Sequence, residues 1–213
     1  LIPMITCDHL KPNIPSYYFD NPLFCIVFLL FFTITALLST PVSAVEIHHD
    51  TRQISLGKHI RFFEDKAHQH TIKEITGSHL QSLFIPSEQH ELNFGHTDSA
   101  YWLKFNLNYS LESSNNKSNE HWALELSYAP LETVTLFTYN QTTHEWDAEN
   151  IGYTLPMNVR KIPHRHFVFP IIISPGEDKT YYLKIARPGG AVHAPINLYS
   201  VSGCAETLPL IHT

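Results

Sequence analysis

ELNFGHTDSAYWLKFNL, residues 91 to 107, changes character partway through. Its first half holds a glycine and a polar tip. From Tyr101 the pattern alternates strictly, placing Tyr101, Leu103, Phe105, Leu107 and Tyr109 on one face and Trp102, Lys104, Asn106 and Asn108 on the other. Successive side chains of a strand point to opposite faces, so this is a half-buried strand with one odd member, a tryptophan among the polar residues. Gly95 is expected to be the turn that feeds it.

Five more strand candidates follow. Trp122, Leu124, Leu126 and Tyr128 alternate with Ala123, Glu125 and Ser127; TVTLFTY covers 133–139, HFVFPIIIS 166–174, TYYLKIA 180–186 and PINLYSV 195–201. SPGEDKT, residues 174 to 180, carries Pro175 and Gly176 where a tight turn wants them and predicts a hairpin between its flanking strands. Pro170 cannot donate to a ladder, which makes its strand an edge or bulged one. No helix-sized crossover separates these strands, so the pattern predicts a sandwich or barrel rather than a parallel sheet. Thr71 with Glu74 three positions on is a capping-box pairing, and it predicts one short helix within 71–84 that Gly77 keeps brief. Residues 110–120 have no apolar face and read as a solvated loop.

The front of the chain is different. LFCIVFLLFFTITALL, residues 23 to 38, holds no charge and precedes STPVSA, with Val42 and Ala44 at small-residue cleavage positions. Residues 1–44 are therefore expected to be a secretory signal cleaved after Ala44, with an uncleaved anchor as the alternative. Asp8, Lys11 and Asp20 ahead of the apolar run do not make the usual positive flank. Residues 45–201 form the expected exported domain, and 202–213 a truncated or unrelated tail.

Composition narrows the function. The formal net charge is −6, and the loss of Lys11, Asp8 and Asp20 leaves it acidic; with no basic block, nucleic acid is not an expected partner. Two of the 3 cysteines, Cys7 and Cys25, leave with the front segment. Cys204 alone forms no internal disulfide, so the exported domain is held by its core. No G-x-S-x-G, H-E-x-x-H or glycine-rich phosphate loop is present, and the chain is read as non-enzymatic and without a cofactor. Asp147 and Glu149 beside Trp146 are the cluster that a polysaccharide hydrolase would use.

Histidine is over-used, with 15 in the chain, including His68-Gln69-His70 and His164-Arg165-His166. Two imidazoles at i and i+2 share a side of a strand and suit zinc or copper. No cysteine or carboxylate stands at ligand spacing beside them, so the histidines are read as scattered surface residues and no metal is expected. Aromatic residues on polar faces are the stronger lead. Sugars present flat patches of C–H bonds that stack on indole and phenol rings. Trp102 fits, as do Trp146 and Tyr153 in HEWDAENIGYTLPMNVRKIPHR, residues 144–165, where Arg160 and Arg165 add planar forks for carboxylate or hydroxyl groups. The competing reading places Trp102 in the core, under the helix.

Taken in order, LNFGHTDSAYWLKFNL, WALELSYAPLETVTLFTY and the stretch through IPHRHFVFPI, SPGEDKTYYLKIA and the strand ending at Tyr199 resemble the type 2 extracellular sensor domain of bacterial seven-transmembrane receptors with diverse intracellular signalling modules. The resemblance runs from about residue 46 to 199. It implies a jelly-roll β-sandwich similar to carbohydrate-binding modules, displayed in the periplasm or on the outer side of the cytoplasmic membrane. It also implies a small ligand, with carbohydrate as the leading class, and a seven-helix membrane region coupled to a cytoplasmic kinase or cyclase output domain. Trp102, Gly95, Arg160 and Arg165 fall on its pattern; the ligand-binding set Trp102, Trp146, Tyr153, Arg160 and Arg165 is read from the residues themselves. After Tyr199 such receptors continue into membrane helices, whereas this sequence continues VSGCAETLPLIHT, as expected of a fragment, a remnant or a free-standing sensor. The alternative function is a protein-interaction or homodimerisation module without a small ligand.

Overall fold

Alternation asks for one buried face, and the structure covers both faces of the strand Ala100–Tyr109. The computed structural model describes residues 44–48, 50–111 and 120–201, all within the second of two units of the chain, Ser43–Thr213. Residues 1–43 of the expected signal segment 1–44, residues 112–119 of the expected loop and the tail 202–213 lie outside the described residues.

Thirteen strands are present among them: β1 (Val45–Ile47), β2 (Gln53–Ser55), β3 (Arg61–Asp65), β4 (Ile85–Pro86), β5 (Leu92–Thr97), β6 (Ala100–Tyr109), β7 (Glu120–Leu126), β8 (Thr133–Asn140), β9 (Glu145–Asn150), β10 (Phe167–Ile173), β11 (Asp178–Ala186), β12 (Gly190–Ala194) and β13 (Ile196–Ser200). They form an all-β sandwich. One sheet has seven strands in the order β4-β3-β6-β11-β8-β9, with β1 added in parallel on β6; the other has four, β10-β7-β13-β2; β12 and β5 make a separate pair.

The main core lies between the two large sheets. From β6 it takes Tyr101, Leu103, Phe105, Leu107 and Tyr109, the face that alternation predicted, and from the four-stranded sheet Trp122, Leu124, Leu126, Phe167, Phe169, Ile171 and Leu198. Each such side chain contributes about 1.5–3 kcal/mol on burial.

The other face of β6 has its own small core. The predicted helix is two short ones, α1 (Ile72–Ile75) and α2 (Ser78–Gln81), because Gly77 adopts extended backbone between them. Glu74 accepts the Thr71 backbone N–H at 2.8 Å, as the capping pair requires. Ile75, Phe84, Trp102 and Tyr182 are buried together here, with Phe63, Ile72, Leu80, Phe137 and Trp146 against them.

Two expectations change. Gly95 is not a turn: it sits inside β5 at φ +69, beside the register shift between Val192 and His193 of β12, so it is a bulge glycine. The 174–180 turn does not close a hairpin. β10 pairs with β7 in the four-stranded sheet while β11 pairs with β6 and β8 in the seven-stranded one, so the turn carries the chain from one sheet to the other. Gly176, at φ +80, makes that corner. Pro170 does lie on an edge strand, bonded on one side only.

Candidate functional site

The β8–β9 hairpin closes one edge of the seven-stranded sheet. Its loop is fixed by Asn140, whose side-chain Oδ1 accepts the backbone N–H groups of Thr142 and Thr143 at 3.0 and 3.2 Å, and by His144 at φ 57. The register sets Tyr139 opposite Trp146 and Thr138 opposite Asp147. Directly opposed side chains share a face, so Tyr139 and Trp146 form a cross-strand aromatic pair. Their rings meet edge to face, 5.3 Å between centroids, and Trp146 makes a second such contact with Tyr182 at 5.3 Å.

Two clefts flank this edge. The first, about 340 Å³, is lined by Thr138, Tyr139, Gln141, Trp146, Asp178, Lys179 and Thr180. Tyr139 is 41% exposed there, so an aromatic wall faces amide, carboxylate, ammonium and hydroxyl groups. The second, about 320 Å³, opens where the β8–β9 edge faces β10 and shares Thr138 and Lys179 with the first. Alternation turns Asp147 and Glu149 away from Trp146 and toward this second cleft. Lys161 pairs with Glu149 at 2.8 Å, Asn140 donates to Asp147 at 3.0 Å, and Lys179 pairs with Glu177 at 2.8 Å while donating to the Ile172 carbonyl at 3.1 Å. Glu149 Oε1 is buried with no hydrogen-bond partner among the described residues.

The five residues singled out from the sequence do not form one site. Trp146 lines the first cleft. Trp102 does face away from the main core, but it is 1% exposed beneath the helices and is no open platform. Its Nε1 donates to Asp65 at 3.4 Å, and the Lys184 ammonium lies 4.9 Å from its ring centre. Tyr153 is 51% exposed and donates to Glu132 at 3.5 Å. Arg160 donates to the carbonyls of His164 and His166 at 2.7 and 3.3 Å, with its guanidinium 4.8 Å over the Phe167 ring. It is a brace for its own loop. Arg165 is exposed. None of these last three lines either cleft.

Sequence reasoning missed Tyr139, Gln141, Asp178, Lys179 and Thr180. Tyr139 ends a recognised strand, and its exposed end is the one available sign. The others meet only through pairings that join β8 to β9 and to β11. A second omission is Glu125, which the β7–β10 pairing carries to His164 and His166 although no carboxylate adjoins them in sequence.

The family model described as 7TMR-DISM extracellular 2 matches residues 57–200. No curated protein matches the chain significantly.

Proposed function

The chain belongs to the 7TMR-DISM extracellular 2 family, the extracellular sensor domains of seven-transmembrane receptors with intracellular output modules, and from that premise we propose that it binds a small carbohydrate at the β8–β9 edge. Its place is outside the cytoplasm, as the family's is. Among the described residues no helix is long and apolar enough to cross a membrane.

The observation that carries the reading is the Tyr139–Trp146 wall over a cleft of about 340 Å³ whose remaining lining is polar. Ligand sites of this size combine aromatic surface with a few fixed polar groups. Ring C–H bonds of a sugar stack on the indole, while Gln141, Asp178, Lys179 and Thr180 exchange hydrogen bonds with its hydroxyls. Asp147, Glu149 and Lys161 in the adjoining cleft extend the polar surface for a second sugar unit. The role is binding rather than catalysis. Within the receptor class, occupancy of this edge is what the membrane and output regions read.

A panel of soluble oligosaccharides and organic acids, titrated into the purified protein, tests the reading. Saturable binding of a sugar that Trp146→Ala abolishes supports it. Silence across the panel from a folded sample, with self-association at the same concentrations, favours the interaction module instead.

A further inference from the structure

His164-Arg165-His166 leads into β10, and the antiparallel register of β10 on β7 places Val168 opposite Glu125. His166, two residues before Val168, therefore emerges on the same face as Glu125, the outer face of the four-stranded sheet. The loop above is pinned there by Ile162, which packs on Ala123 and Val168. Arg160, by binding both histidine carbonyls, fixes the spacing of the two imidazoles. One ligand atom from each of Glu125, His164 and His166 lies within 4.8 Å of the others, and all three residues are half-buried. His166 Nδ1 already contacts Glu125 Oε1, and the two imidazole rings are 5.2 Å apart.

We propose that Glu125, His164 and His166 bind a divalent transition-metal ion of the zinc, copper and nickel class. Two imidazoles and one carboxylate are a borderline donor set suited to these ions and ill suited to calcium or magnesium, which want oxygen alone. Ligands about 2.1 Å from a tetrahedral ion stand about 3.4 Å apart, so side-chain rotation that opens the His166–Glu125 contact and draws His164 inward is the adjustment required. The three residues leave the fourth position to water or a small anion. The guanidinium charges of Arg160 and Arg165 oppose the ion, and the Glu125 carboxylate offsets part of that repulsion. Bound metal would tie the 152–166 segment to β7 and stiffen it. This site is separate from the sugar cleft and does not depend on it.

The test is calorimetric titration of the purified, metal-stripped protein with zinc chloride, repeated with cobalt chloride to read the visible absorption of the bound ion. The expected result is one equivalent bound, with affinity reduced at least about 10-fold in His164→Ala, His166→Ala and Glu125→Gln, and unchanged when the exposed His79 and His90 are both replaced by Ala. Binding of one equivalent that survives His164→Ala and His166→Ala, or no saturable binding, overturns it. A second measurement needs no variant. Zinc should slow diethyl pyrocarbonate modification of His164 and His166 in the wild-type protein while leaving His79 and His90 reactive, and equal rates at all four would contradict the site.

Discussion

Trp102 brings its indole Nε1 to within 3.4 Å of the Asp65 carboxylate, a group whose side chain water does not reach. Asp65 also accepts the His70 backbone N–H at 3.1 Å and contacts His70 Nδ1 at 2.9 Å. Burial alone would raise the Asp65 pKa. The hydrogen bonds from the His70 side chain and backbone and from Trp102, with the His70 charge, outweigh it and hold the carboxyl below its ordinary 3.8. A depressed folded-state pKa means that the carboxylate's stabilisation is present above about pH 4 and is lost as pH falls through the lowered value. Urea midpoints should therefore separate wild type from Asp65→Asn at pH 7 and draw together as pH falls through the lowered value; a gap that stays constant would refute the linkage. Trp102→Ala empties the small core under the helices and should cost about 3–5 kcal/mol in the same experiment, whereas a loss below about 1 kcal/mol would mean that the indole is not packed there. In the sequence Trp102 and Trp146 look alike, each an aromatic among polar neighbours. What separates them is a helical layer over one and none over the other, which only tertiary placement decides.

At the scale of elements, β6 was legible because its period-2 pattern served the main core without exception. β10 was legible as an edge because Pro170 lacks the N–H that an inner strand needs. β9 was not legible. EWDAEN has no apolar face of its own, and it is a strand because β8 pairs with it through six residues. The corner at 174–180 was misjudged for a related reason: proline and glycine specify a tight reversal but not which sheet the next strand joins. The join between β9 and the long segment after it depends on contact rather than on φ. A Cβ built on Gly152 would stand 1.8 Å from the Glu132 carbonyl oxygen, so Gly152→Ala should push the segment from its seat and destabilise by roughly 1–3 kcal/mol. Thermal or urea unfolding reads this directly, and a change within about 0.3 kcal/mol would show that the approach is looser than described.

For the whole molecule, the sandwich places two adjoining clefts where the β8–β9 edge of one sheet stands beside β10 of the other. The ordered motifs in the sequence led to the family and to the all-β architecture. They did not lead to the cleft, because Tyr139, Trp146 and Lys179 belong to three different strands and share a surface only once β8, β9 and β11 are side by side. Arg160 and Arg165, which look like ligand forks in the sequence, sit on a loop over the four-stranded sheet instead. The central claim is that a small ligand is held against Trp146. Of the 3 tryptophans, Trp102 and Trp122 are each 1% exposed, while Trp146 is half-buried at the cleft, so intrinsic fluorescence reports this site over a nearly constant background. The decisive measurement is a fluorescence titration of the purified protein with the sugar panel, run in parallel on Trp146→Phe. The account predicts a saturable emission change in the wild type that the variant lacks while its melting temperature is retained. A saturable change of equal size in Trp146→Phe, or none in the wild type for any member of the panel, would contradict it.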